Sequence, residues 1–180
     1  MKKFITTVIL ASVSGLAVAA DFASLEVDRV RDTKTRAESN AQYLRAGKDV
    51  AGLQLGLQAR TQVWHQGGMV NSLEGTVGKQ VGAVNVFGGV GYDNGYNGAK
   101  NGNFEYGVVG ASTGMKLGSV YAFGGAKTRV NWESANPKQT LAFAGVNVPL
   151  NKTFSVDVSA SKSYQDIQER AAGLALRVAF

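Results

Sequence analysis

The chain has 180 residues, with 19 Lys and Arg against 13 Asp and Glu, a formal net charge of +6 and no cysteine. That length suits one domain, the missing thiols exclude disulfide staples and Cys-based metal sites, and a mild basic excess scattered along the sequence argues against a nucleic-acid footprint. The 23 glycines and 2 prolines suit strands joined by turns, because proline removes a donor from a hydrogen-bonded ladder, and no three-residue collagen period is present.

Residues 1–20 carry the three parts of a secretory signal. Lys2 and Lys3 come first, an apolar run follows from Phe4 through Leu10, Ala11, Val13, Leu16 and Val18, and Ala19 and Ala20 close it. Val18 and Ala20 are small enough for signal peptidase, so cleavage is expected before Asp21 and the mature domain is expected to be 21–180. As an anchoring helix the run is shorter than the roughly 20 apolar residues needed, and Ser12 and Ser14 interrupt it. Without Lys2 and Lys3 the chain holds 17 basic and 13 acidic side chains, an excess that favours anionic solutes or acidic lipid headgroups.

Beyond the leader, apolar residues come in short alternating segments. A meander of ten strands accommodates them, over 22–31, 40–47, 52–64, 70–79, 83–92, 103–115, 119–132, 139–149, 153–164 and 170–180. The stretch Thr33–Asn40 could instead form a long loop, and a different split gives eight strands. In the third segment Leu53, Leu55, Leu57, Ala59, Thr61 and Val63 share one face, while Gln54, Gln58, Arg60 and Gln62 share the other. Its length is about the 9–11 residues that a tilted strand needs to cross a bilayer. Phe154, Val156, Val158 and Ala160 likewise oppose Ser155, Asp157, Ser159 and Ser161, and Ala172, Leu174, Leu176, Val178 and Phe180 oppose Glu169, Gly173, Arg177 and Ala179.

A soluble sandwich also alternates, but here the polar face mixes glycine with Gln, Arg, Lys or Asp, as a watery or polar-packed lumen does. The expected fold is therefore all-β, a transmembrane antiparallel up-and-down barrel. It must close, since hydrocarbon offers no water to satisfy a strand edge. Lys48-Asp49, 79–82, Leu117-Gly118 and Asn151-Lys152 read as tight periplasmic turns. Arg31–Asn40, Asp93–Gly102 and Glu133–Lys138 read as longer outer loops, and an even strand number places both termini in the periplasm.

One register points Glu26, Asp28, Arg45, Arg60, Glu74, Glu105, Lys127, Arg129, Asp157, Glu169 and Arg177 inward. Mixed signs at close quarters can form a paired, hydrated lining; the centre is an open pore if water fills it and a plugged scaffold if the pairs meet across the axis. Gly52, Gly56, Gly89 and Gly125 on the lumen side either spare space for solute or relieve crowding in a tight barrel. Trp64, Tyr92, Tyr96, Tyr106, Trp132, Tyr164 and Phe180 fall near strand ends, at headgroup level.

No catalytic constellation is expected. His65 is the single histidine and sits in a loop, no Gly-x-Ser-x-Gly elbow is present, and Gly88-Gly89-Val90-Gly91 lacks the following lysine of a phosphate loop. Asp28 and Asp157 are expected to meet Arg or Lys rather than each other. Neither a metal nor a cofactor is expected.

The final strand, Leu174-Ala175-Leu176-Arg177-Val178-Ala179-Phe180, resembles the carboxy-terminal signature of bacterial outer-membrane proteins. The resemblance implies that Phe180 is part of the signal read by the barrel-assembly machinery, with periplasmic chaperones as further partners. Leu25–Asp32 and Asn40–Arg45 resemble segments of the small monomeric, oligosaccharide-type porins, whose chains are longer and have twelve strands; the porin-like class carries over, and no substrate. Together these features lead to an expectation of a passive outer-membrane channel for small hydrophilic solutes with slight anion preference. The alternative is a non-conducting structural or surface-interaction barrel.

Overall fold

A computed structural model describes residues 20–97, 100–132 and 138–180. Ten strands follow in chain order: β1 (Phe22–Asp32), β2 (Glu38–Val50), β3 (Leu53–Trp64), β4 (Met69–Val81), β5 (Val84–Asn97), β6 (Lys100–Leu117), β7 (Val120–Asn131), β8 (Gln139–Pro149), β9 (Phe154–Gln165) and β10 (Glu169–Ala179). Each pairs antiparallel with its sequence neighbours, and β1 pairs with β10 from Phe22–Ala179 to Asp32–Glu169, so the barrel is closed.

The strands run longer than their apolar patterns. The segment Asp93–Gly102, read as a loop, mostly continues β5 and β6 in register as far as Asn97–Lys100. Its Asn, Asp and Gly residues resemble a turn in composition, yet these residue types do not prevent the backbone ladder from continuing. Lys48 and Asp49 likewise belong to β2, and the turn falls at Ala51 and Gly52, both with positive φ (53° and 79°). Two consecutive left-handed residues make the type I′ geometry whose twist matches a hairpin. Gly52 is therefore a turn residue and not part of the lumen wall. Between β1 and β2 the connection shrinks to residues 33–37, where Asp32 Oδ1 accepts the amides of Lys34 and Thr35. The segment Glu133–Lys138 lies outside the described residues except for Lys138, as does the expected signal segment up to residue 19.

Following ladder partners from Glu26 leads to Phe104 on β6 in one direction and to Lys116 in the other, a stagger of twelve residues round the ring. Over ten strands, at about 3.3 Å per residue and about 4.8 Å between strands, this corresponds to a tilt of about 40°. The period-two pattern then sorts side chains cleanly. Leu25, Val27, Leu55, Leu57, Leu73, Val77, Val90, Val109, Val158, Leu174 and Leu176 all stand exposed on the outside. So continuous an apolar exterior is far larger than the patches soluble monomers show, and it matches the lipid-facing band of a membrane barrel.

Candidate functional site

Ten of the expected lumen charges line one interior cavity of about 630 Å³: Glu26, Asp28, Arg45, Arg60, Glu74, Lys127, Arg129, Asp157, Glu169 and Arg177. Glu105 is the exception. Along β6 the inward parity belongs to Phe104, Tyr106, Val108 and Gly110, so Glu105 faces outward beside its ladder partner Tyr92, which is itself exposed.

Most of the charges are paired, and two ion pairs bridge strands that are not neighbours. Lys127 Nζ on β7 lies 2.5 Å from Glu74 Oε1 on β4, three strands away, and Arg129 Nη1 lies 2.7 Å from Asp93 Oδ2 on β5. The Arg129 guanidinium also sits 4.2 Å over the Tyr106 ring. On the opposite arc Gln62 Nε2 donates to Ser39 Oγ at 2.8 Å and to Glu169 Oε1 at 3.1 Å, while the Glu169 amide donates to Ser163 Oγ at 2.8 Å. Arg60 donates to Gln62. Nearer the termini, Arg45 pairs with Glu26 and Arg177 Nε stands 3.7 Å from Asp157 Oδ2. Asp28 is buried with Oδ1 unpartnered among the described residues. His65, exposed as expected, reaches only Asn40 Nδ2 at 3.3 Å through Nε2.

These contacts define a girdle. Allowing for a stagger of about one residue per strand, Val30, Ser39, Gln62, Ser72, Asp93, Tyr106, Gln139 and Ser163 occupy one level, and all are buried. Arg129 from β7 and Glu169 from β10 complete the ring, so every strand contributes. Water passing along the axis would have to part these groups; Arg129 and Glu169 are partly exposed, and with Val30, Ser72, Tyr106 and Gln139 they form the inner end of the cavity. Below the girdle the cavity opens toward the termini, past Phe22, Asp49, Gln54 and Arg177. There the two signs differ in access. Arg45, Lys127 and Arg177 keep 36%, 20% and 40% of their side-chain surface exposed, against 4%, 7% and 13% for their partners Glu26, Glu74 and Asp157. Carboxylates are sunk in the wall, and cations front the cavity.

The inward aromatics were not legible as lining. Phe22, Phe87, Tyr106, Phe123 and Phe143 each lie over a glycine on a neighbouring strand, respectively Gly47, Gly110, Gly91, Gly145 and Gly125, where an added Cβ would collide with the ring. Of the glycines expected on the lumen wall, Gly125 thus seats an aromatic ring, whereas an added Cβ would meet Thr76 Oγ1 at Gly56 and the Gly75 carbonyl at Gly89. Tyr106, expected at headgroup level, is part of the buried girdle. Trp64 shares the inward face of β3, whereas Tyr92, Trp132, Tyr164 and Phe180 stand exposed; Tyr96's side chain lies outside the described residues. The signal that identifies the lining is a glycine directly opposite an aromatic of lumen parity, readable only once the register is known.

No protein-family model and no curated protein matches the sequence. Among solved structures the chain is similar to the translocator domain of the autotransporter NalP from Neisseria meningitidis, with a TM-score of 0.51 at 12% identity over 99% of this chain and 96% of that one. It is also similar to the β domain of the Bordetella autotransporter BrkA, with a TM-score of 0.49 at 13% identity over 89% and 99% of the two chains. A third similarity is to the KdgM porin in complex with disordered oligogalacturonate, with a TM-score of 0.46 at 5% identity over 87% and 99%. The protein has the fold of the Gram-negative outer-membrane β-barrels. Within that class it is a small, closed barrel of ten strands without helices among the described residues.

Proposed function

We propose that this chain resides in the outer membrane as a non-conducting barrel, a structural or surface-interaction scaffold whose lumen is shut by the buried girdle. The girdle carries this reading: the Arg129–Asp93 ion pair, the Gln62–Glu169 hydrogen bond and the Tyr106 ring occupy the level that a solute would have to pass. The outward apolar band contacts lipid. Barrel-assembly machinery and periplasmic chaperones serve insertion, with Phe180 as part of the assembly signal; its ring faces outward and its amide donates to Asp21 O at 3.0 Å, beside the β1–β10 seam. No enzymatic role is proposed.

A second reading is a passive channel for small hydrophilic solutes with anion preference. The cavity and the cavity-facing Arg45, Lys127 and Arg177 favour it, since a wall cation in a narrow conduit attracts anions strongly. Liposome swelling separates the two. Folded protein, recognised by heat-dependent gel mobility, is expected to swell liposomes in glucose or gluconate no faster than empty liposomes do. Swelling that rises with protein dose and is faster for gluconate would replace the scaffold by the channel.

A further inference from the structure

The basic residues that look scattered along the chain are gathered by barrel closure. On the outer face, Arg31 of β1 is the ladder partner of Arg170 of β10, and Arg170 is the partner of Lys162 of β9. Three cations therefore stand side by side on adjacent strands about 4.8 Å apart, at the end of the barrel away from the termini. Arg31 and Arg170 are exposed and Lys162 is half-exposed, its ammonium 4.7 Å over the Tyr164 ring. On the other side of Arg31 its ladder partner on β2 is Glu38, whose Oε2 is engaged by Arg29 at 2.8 Å, so no carboxylate flanks Arg170 or Lys162 in the row.

Like charges placed directly across a ladder destabilise a sheet, so this row costs stability unless an anion fills it. The surface below it states which anion. Two residues deeper in the same ladder come Ala160 and Ala172, with Arg29 beside them on β1, then Val158, Leu174 and Val27, all on the outward face. The row thus caps an apolar strip, with a shallow floor of two alanines just beneath the charges. An inorganic ion would use only the cations, whereas a phosphorylated lipid would use both, its headgroup on the cations and its acyl chain along the strip.

We propose that Arg31, Arg170 and Lys162 form a binding site for the phosphate headgroup of an anionic membrane lipid. The site rests on the membrane-barrel reading and is independent of whether the lumen conducts. The probe is diphosphoryl lipid A, titrated into the folded full chain in zwitterionic micelles and read as protein–lipid adducts by native mass spectrometry. The wild type is expected to take up one lipid before any others, and Arg31→Gln/Arg170→Gln/Lys162→Gln to bind at least tenfold more weakly. Lys48→Gln/Lys79→Gln/Lys152→Gln, which neutralises the opposite rim, is expected to bind as the wild type does, and inorganic phosphate in excess is expected not to displace the lipid.

Equal binding by the wild type and the first triple variant, an equal loss in the opposite-rim variant, or displacement by inorganic phosphate would each overturn the site. Should the first triple variant fail to insert, the wild type with dephosphorylated lipid A tests the same point, and binding equal to that of the phosphorylated form rejects it. Failure of the wild type to give a heat-modifiable form in micelles would instead defeat the barrel itself.

Discussion

Tyr106 shows how one residue governs the interior. Its ring lies over Gly91, its hydroxyl is 3.5 Å from Glu74 Oε2, and Arg129 stacks on its face. A side chain at Gly91 would need the space the ring occupies, and overpacking of this kind costs about 1–3 kcal/mol. Gly91→Val is therefore expected to lower the urea midpoint of the inserted protein by that order, followed by loss of the heat-modifiable band. Gly75, where an added Cβ meets nothing within 4 Å, provides the control: Gly75→Ala is expected to stay within about 0.5 kcal/mol of the wild type. Equal losses at both sites would show that the glycine–ring pairing contributes nothing. Side-chain sorting was largely legible at this scale, because alternation alone places ten of the eleven expected charges on the cavity wall. Glu105 escaped because β6 alternates weakly: Tyr106 and Val108 take inward positions that a polar-inside rule assigns to Glu105.

At the scale of elements, the number and order of strands were readable from the period-two segments, and β8 coincides with its expected bounds, Gln139–Pro149. Errors collect at strand ends, where the sequence offers polar residues in either conformation. Lys48-Asp49 looked like a turn, and Asp49 Oδ1 does accept the Gly52 amide at 3.1 Å, but the reversal itself falls three residues later, at Ala51-Gly52. Ala51 then sits at φ 53°, a conformation costing a non-glycine residue about 1–2 kcal/mol. Ala51→Gly, giving glycine at both central positions, is expected to stabilise the β2–β3 hairpin by roughly 1 kcal/mol, seen as a higher urea midpoint and slower unfolding in micelles. A lowered midpoint would mean that the turn does not depend on that backbone geometry.

Properties of the whole molecule were the least legible, because they depend on which strands become neighbours when the ring closes. Arg31 is far in sequence from Lys162 and Arg170, which pair within the β9–β10 hairpin, and joins their row only through the β1–β10 seam. The same holds for the girdle, whose members come from every strand, and for the Lys127–Glu74 pair beneath it, which joins strands three apart. Alternation says that a charge faces inward; whether it meets an opposite charge or a column of water is set by the stagger and the ring size.

Closure of the lumen at the girdle is the central claim, and single-molecule recording in planar bilayers tests it most directly. Folded wild-type protein is expected to insert without discrete conductance steps. Gln62→Ala/Tyr106→Ala, which removes two buried girdle side chains from β3 and β6 while leaving Arg45, Lys127 and Arg177 in place, is expected to give steps whose reversal potential under a salt gradient lies on the anion-selective side. Wild-type steps as large as those of the variant would contradict the account and show that the lumen is an open pore.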